Sequence, residues 1–223
     1  MEEQNSSKRK LKNPIKFQIS LNEEQKIAKD IILNNTITVL TGKAGSGKTM
    51  LAAQVGLDLL FNGKVDCVIL TRPAVTSGEE VGILPGGIDE KLAPYVDSIY
   101  ENIYSLYSKE KIDSCIKEGK IKIIPLGFMR GRNLKGCVIV DEAQNMTNKQ
   151  SKLLLTRICK DAKLILCGDI DQIDLKYDTL SGFGFVCNVL AKNIKNFALV
   201  ALQMNHRDEI VEKILEQYAA HGI

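Results

Sequence analysis

Ile37-Thr38-Val39-Leu40-Thr41-Gly42-Lys43-Ala44-Gly45-Ser46-Gly47-Lys48-Thr49 decides how the rest of this chain is read. An apolar run ends in a glycine-rich turn, and the turn ends in a Lys-Thr pair that opens a helix expected over Thr49–Phe61. Strand, loop and helix in that order make a phosphate cradle. Glycines let successive backbone N–H groups face an anion at the positive end of the helix. Gly42, Lys43, Ala44, Gly45, Ser46, Gly47, Lys48 and Thr49 are therefore the expected nucleotide-binding loop. Lys48 would reach the β- and γ-phosphates of ATP, and the Thr49 hydroxyl would hold Mg²⁺.

Working outward, apolar runs recur at Ile37–Leu40, Val65–Leu70, Ile121–Ile124, Cys137–Val140, Leu164–Cys167 and Ala198–Leu202. Their branched side chains and lack of polar alternation suit strands covered on both faces, as in a parallel sheet. Helices are expected over Glu23–Leu33, where Asn22 can cap, and over Thr49–Phe61, Asp89–Tyr107, Lys149–Lys160 and Gly184–Lys192. The fold class is α/β, a mostly parallel sheet sandwiched by helices, with ligands at the carboxyl ends of the strands. A polar, basic tail over residues 1–16 reads as disordered, and residues 17–223 as a single domain. An insertion over about 74–118 opens with a glycine-rich loop from Gly78 to Gly87. Such a loop at a strand's carboxyl end often carries function, although a plain surface connection looks the same.

Two further strands end in polar groups. Val138-Ile139-Val140 delivers Asp141 and Glu142. Asp141 would contact Mg²⁺ through water, and Glu142 would act as the general base that orients the attacking water. Leu164–Cys167 ends in Gly168-Asp169-Ile170-Asp171-Gln172. Gln172 both donates and accepts, which suits a group sensing the γ-phosphate, though the segment also reads as an ordinary Asp/Gly turn. Upstream, the Gln25 amide can pair with an adenine edge.

Composition narrows the classes. Of 223 residues, 44% are hydrophobic and 26% charged, the balance of a globular domain. No window holds the roughly 18 consecutive apolar residues of a membrane helix, and the N-terminus lacks the order of a signal peptide, so the expectation is a cytoplasmic protein. Cys67, Cys137 and Cys167 lie in apolar runs and read as buried hydrophobes. With no Cys-x-x-Cys and only two His residues, no zinc site is expected. A net charge of +3 and a pI near 8.4 permit a nucleic-acid partner without requiring one.

The loop, Asp-Glu-Ala-Gln, Gly-Asp-x-x-Gln and an upstream Gln, in that order, resemble the first RecA-like domain of superfamily 1 helicases. Thr71-Arg72-Pro73, Asp89-Glu90-Lys91-Leu92-Ala93-Pro94-Tyr95, Pro125-Leu126-Gly127-Phe128-Met129-Arg130-Gly131-Arg132, Leu155-Thr156-Arg157 and Gly168 to Leu175 are similar to the PhoH family over about residues 20–215. The resemblance implies a RecA-like P-loop ATPase, phosphate-starvation-linked in some members, with RNA helicase or RNA-metabolic roles. A nuclease domain of the PIN type, carried by some relatives, has no room before residue 20 and is not expected.

One RecA-like domain makes half of a site that helicases build from two. A neighbouring subunit would then supply an arginine to the transferring phosphoryl group, and a head-to-tail contact that closes makes a ring. The expected partners are copies of the chain in a hexameric ring and RNA or single-stranded nucleic acid. Arg157 is the first candidate finger and Arg207 the second. Arg157 can also simply complement a helix dipole, and Arg207 can be a surface residue. Arg72, Arg130 and Arg132 can meet RNA phosphates or acidic groups at a subunit interface. An ATP-gated ring for protein partners, and a small-molecule kinase, are the competing readings.

Overall fold

The computed structural model describes residues 17, 19–73, 97, 99–175, 181–204 and 209–221. The tail 1–16, the loop Gly78–Gly87, the start of the helix expected from Asp89, and Arg207 lie outside the described residues.

Among the described residues six strands form one sheet, β1 (Ile37–Thr41), β2 (Val68–Thr71), β3 (Ile121–Ile123), β4 (Cys137–Val140), β5 (Lys163–Gly168) and β6 (Phe197–Ala201), in the order β3-β2-β4-β5-β1-β6. Every pairing is parallel. Parallel strands need crossover helices on the faces, so both faces are buried and the strands read as continuous apolar runs. Side chains alternate between two cores. Cys137 and Ile139 of β4 face one core with α1 (Glu23–Asn34), α2 (Lys48–Phe61) and the helix over 99–106, here α3. Val138 and Val140 face the other, with Met146, Leu154 and Phe183.

The insertion's described part belongs to the first core. Ile99, Ile103 and Leu106 of α3 are buried there with Ile112 and Cys115 of α4 (Lys109–Lys117). No helix was expected at α4, because its sequence offers only those two buried positions among polar residues. On the second face, α5 (Asn148–Leu155) is shorter than the expected Lys149–Lys160. It starts at Thr147, which forms a reciprocal capping box with Gln150. It stops because the backbone of 157–159 is recruited elsewhere: Leu134 N–H donates to the Arg157 carbonyl and Cys159 N–H to the Leu134 carbonyl, both at 2.9 Å. The segment 183–193 (α6) is helical with a π turn over Val186–Leu190. A last helix, α7, spans Glu209–Ala220. No helix among the described residues is long and apolar enough to cross a membrane.

Helix α1 is fastened at both ends. Asn22 accepts from Gln25 N–H at 2.8 Å and the Gln25 side chain accepts from Asn22 N–H, a capping box that matches the expected N-cap. At the other end the Lys163 ammonium donates to the carbonyls of Ile32, Leu33 and Asn35 at 3.2, 2.6 and 2.6 Å. A cation there satisfies orphan carbonyls and complements the helix dipole. Burial nevertheless pulls the Lys163 ammonium below its ordinary pKa.

Candidate active site

The loop after β1 curls because three of its glycines take positive φ: Gly42 (143°), Gly45 (89°) and Gly47 (81°). Gly42 has a second constraint. A Cβ there would sit 2.3 Å from the Leu202 carbonyl oxygen, so only glycine lets the loop pass beneath the chain leaving β6. Gly47 then serves as N-cap of α2 without a side-chain cap, which leaves the first-turn N–H groups of that helix to an anion. The Lys48 ammonium folds over the loop and donates to the carbonyls of Gly42 (2.6 Å) and Lys43 (3.0 Å).

Across the cleft, Thr49 Oγ1 donates to Asp141 Oδ1 at 2.5 Å, joining residues 92 apart in sequence. Asp141 is held in place by its own N–H, which donates to the Thr71 carbonyl at 2.8 Å and so extends the β2–β4 ladder past the strand end. A hydroxyl and a carboxylate brought together are the hard oxygen donors that Mg²⁺ takes, so these two residues fit the ion.

Glu142 sits differently. Its backbone is left-handed (φ 48°, ψ 42°), an uncommon conformation for a non-glycine residue that costs on the order of 1–3 kcal/mol. Two side chains grip its carboxylate: Gln144 Nε2 donates to Oε2 at 2.5 Å, and the Arg72 guanidinium lies 3.4 Å from Oε1. Gln144 is 0% exposed and links the segments that follow β4 and β5. Its Nε2 also donates to the Gln172 carbonyl at 3.1 Å, and its Oε1 accepts from Asp169 N–H at 3.1 Å. Space for that amide exists because residue 168 is glycine: a Cβ there would meet Gln144 Oε1 at 3.0 Å and the Phe183 ring at 2.6 Å. Asn145 repeats the tie one residue on, exchanging hydrogen bonds with Asp174.

A cleft of about 440 Å³ is lined by Gly45, Lys48, Thr49, Asp141, Glu142 and Gln172 among others. Arg72 and Asn102 of α3 line it as well, which gives the insertion a side chain at the site. Beneath it, Cys167 Sγ lies 3.6 Å from the Lys48 carbonyl and can donate to it. Burial, and secondarily Asp141, push this thiol well above its ordinary pKa, so it stays a neutral thiol.

Two expected residues do not join the cleft. Gln25 is 2% exposed and its Oε1 is engaged in the α1 cap, while its Nε2 has no hydrogen-bond partner among the described residues. Arg157 lies just past α5, paired through its backbone to Leu134, three residues before β4 begins. It therefore sits at the amino edge of the sheet, at least a strand length from its own phosphate loop. Arg72, read as a contact for RNA or an interface, instead pairs with Glu142 of its own chain. Gln144 belongs to the Asp-Glu-Ala-Gln motif, and the motif alone assigns it no role. The usable signal was a polar residue two positions beyond an acid pair at the end of a fully apolar strand.

An all-parallel sheet with a glycine loop between β1 and α2, an acid pair after β4 and a Gly-Asp-x-x-Gln turn after β5 defines a RecA-like P-loop NTPase. Residues 19–219 match the family described as PhoH-like protein, and the chain belongs to that family. It is 40% identical over 190 residues to a PhoH-like protein of Synechocystis sp., covering 84% of this chain and 58% of that one. A PhoH-like protein of Bacillus subtilis is 39% identical over 187 residues, with 82% and 58% covered. The chain thus spans rather more than half the length of these relatives. Among solved structures, the SWI2/SNF2 ATPase core of Sulfolobus solfataricus in complex with dsDNA superposes with a TM-score of 0.50 at 13% identity, covering 90% of this chain and 48% of that one. That likeness is one of fold.

Proposed function

We propose that this chain binds ATP and Mg²⁺ and hydrolyses ATP as an RNA-directed, helicase-like ATPase assembled in a ring, most simply a hexamer. The observation that carries the reading is the convergence of the Thr49–Asp141 pair with the Glu142 carboxylate on the cleft that the phosphate loop lines. The α2 N-terminus and Lys48 bind the phosphates, and Thr49 and Asp141 would hold the ion, which would supply charge neutralisation to the phosphates. Glu142 accepts the proton of the attacking water, and Gln172, at the cleft mouth, orients that water. Gln25 has one buried amide donor, without a partner among the described residues, for an adenine acceptor.

The arginine that completes the site is assigned to Arg157 of a neighbouring copy. Its place at the opposite edge of the sheet suits a head-to-tail contact, in which each subunit's amino edge meets the next subunit's cleft. Arg157→Ala should lower turnover by about 10³-fold while nucleotide binding survives. Mixing it with Lys48→Ala subunits should restore part of the activity, because mixed interfaces join an intact loop to an intact arginine. Unchanged turnover of Arg157→Ala sinks the assignment.

A second reading, an ATP-gated ring that binds protein partners, is favoured by the exposed Ile210, Ile214 and Tyr218, spaced by four on α7. ATP turnover measured with and without RNA separates the two. Stimulation supports the first reading, and a flat response across RNA and single-stranded DNA supports the second.

A further inference from the structure

The charge of this chain is unevenly placed. Residues 119–160 carry nine Lys and Arg and only two acids, Asp141 and Glu142, both in the cleft. That stretch holds a net charge of +7, whereas the whole chain is +3, so the rest is −4. Eight of its nine cations are exposed. Some flank a groove of about 450 Å³ between the 3₁₀ turn Leu126–Met129 and α5, whose lining includes Leu126, Gly127, Arg130, Lys149, Gln150 and Leu153 and, among the described residues, contains no acid. Phe128 follows the lining residue Gly127 and is 55% exposed, in a turn whose neighbours Leu126 and Met129 are buried. An exposed aromatic ring in the same turn as a groove lined by Arg130 and Lys149 offers a stacking platform for a strand whose phosphates follow those cations.

We infer that this groove seats single-stranded nucleic acid, with a base stacked on Phe128 and the backbone phosphates on Arg130 and Lys149. The assignment rests on the RNA-directed reading above and narrows it to one surface. The occupant follows from the chemistry: a polyanion is the ligand that an acid-free, cationic groove attracts, and an exposed aromatic adds affinity only for a partner with π faces. An acidic peptide would satisfy the cations but gain little from Phe128. The turn also reaches the catalytic side, because Leu126 N–H donates to the Arg72 carbonyl at 3.4 Å and the Arg72 guanidinium pairs with Glu142. A strand seated here therefore lies one residue away from the residue that grips the proposed base.

The test is fluorescence anisotropy of the whole chain with labelled single-stranded RNA and DNA of equal length, as a function of salt. Phe128→Ala should weaken binding roughly tenfold, the loss of one stacked base. Arg130→Ala combined with Lys149→Ala should flatten the log–log salt dependence by about 0.7 per contact removed. Lys192→Ala with Lys195→Ala, which remove the same charge from exposed positions elsewhere, should bind as the parent chain does. Thermal melting checks that each variant is folded, which exposed positions favour. The RNA and DNA arms show whether a ribose hydroxyl is read. Parent chain that binds while Phe128→Ala and the Arg130/Lys149 pair bind equally well overturns the groove alone. Parent chain that binds neither strand overturns the groove and the RNA-directed reading together, and leaves ATP hydrolysis standing.

Discussion

The two walls of the cleft are built on different principles. The phosphate wall is one continuous segment, residues 42–49, whose shape comes from glycine dihedrals and whose donors are backbone N–H groups. The carboxylate wall is assembled from three distant segments: the buried amide of Gln144 joins Glu142 to Asn145 with Asp169 to Asp174, and the Arg72–Glu142 ion pair brings in the third. A wall of backbone binds anions in general. A wall of interlocked side chains can hold one carboxylate in a costly left-handed conformation and point it at a chosen place. Affinity and turnover should therefore separate between the two walls.

The largest expected effect tests that separation directly. Glu142→Gln should lower kcat by 10²- to 10⁴-fold, the usual contribution of a general base, with nucleotide affinity nearly unchanged. Lys48→Ala should weaken affinity as well as turnover. Steady-state kinetics beside equilibrium binding of a fluorescent ATP analogue reads both, and a Glu142→Gln chain that loses binding would break the comparison.

Gln144→Leu should come next. It leaves Asp169 N–H and the Gln172 carbonyl without their partner and frees the Glu142 carboxylate, costing about 1–3 kcal/mol of stability. A fall in kcat of about tenfold or more, with KM for ATP little changed, marks a positioning role. A matching fall in affinity would place Gln144 with the phosphate wall instead. Gln144→Glu keeps the shape but sets a second carboxylate beside Glu142, so it should not rescue turnover.

The smallest effect concerns the floor that both walls share. Cys167 on β5, with Cys137 on β4, is buried, and burial raises both thiols, Cys137 to about 12. A thiol whose folded pKa lies above its unfolded value near 9 stabilises the fold fully below that pH. That contribution is lost as pH rises towards the folded pKa, by up to about 1.4 kcal/mol per pH unit for each thiol. Urea midpoints should thus fall above pH 9, and iodoacetamide should fail to label Cys167 at pH 8 in the folded chain. Ready labelling would mean that the floor opens.

The phosphate loop, the acids at the end of β4 and most strands were legible from the sequence because each is a local pattern. Positive-φ glycines, an apolar run and a terminal carboxylate declare themselves within ten residues, and β4 at Cys137–Val140 matched to the residue. Helix α4, the early end of α5 and the packing of the insertion were not legible, since each depends on a partner far along the chain, such as Leu134 taking the Arg157 carbonyl. The same distinction divides the site. Sequence alone marked out the residues proposed to meet a phosphate and a metal ion, because backbone geometry and side-chain chemistry act locally there. Only the tertiary structure decided that Arg72 faces Glu142, that Gln144 joins two strand ends past a glycine, and that Arg157 lies away from its own cleft. Those are consequences of strand order, and the order β4-β5-β1 is a packing result that no single segment carries.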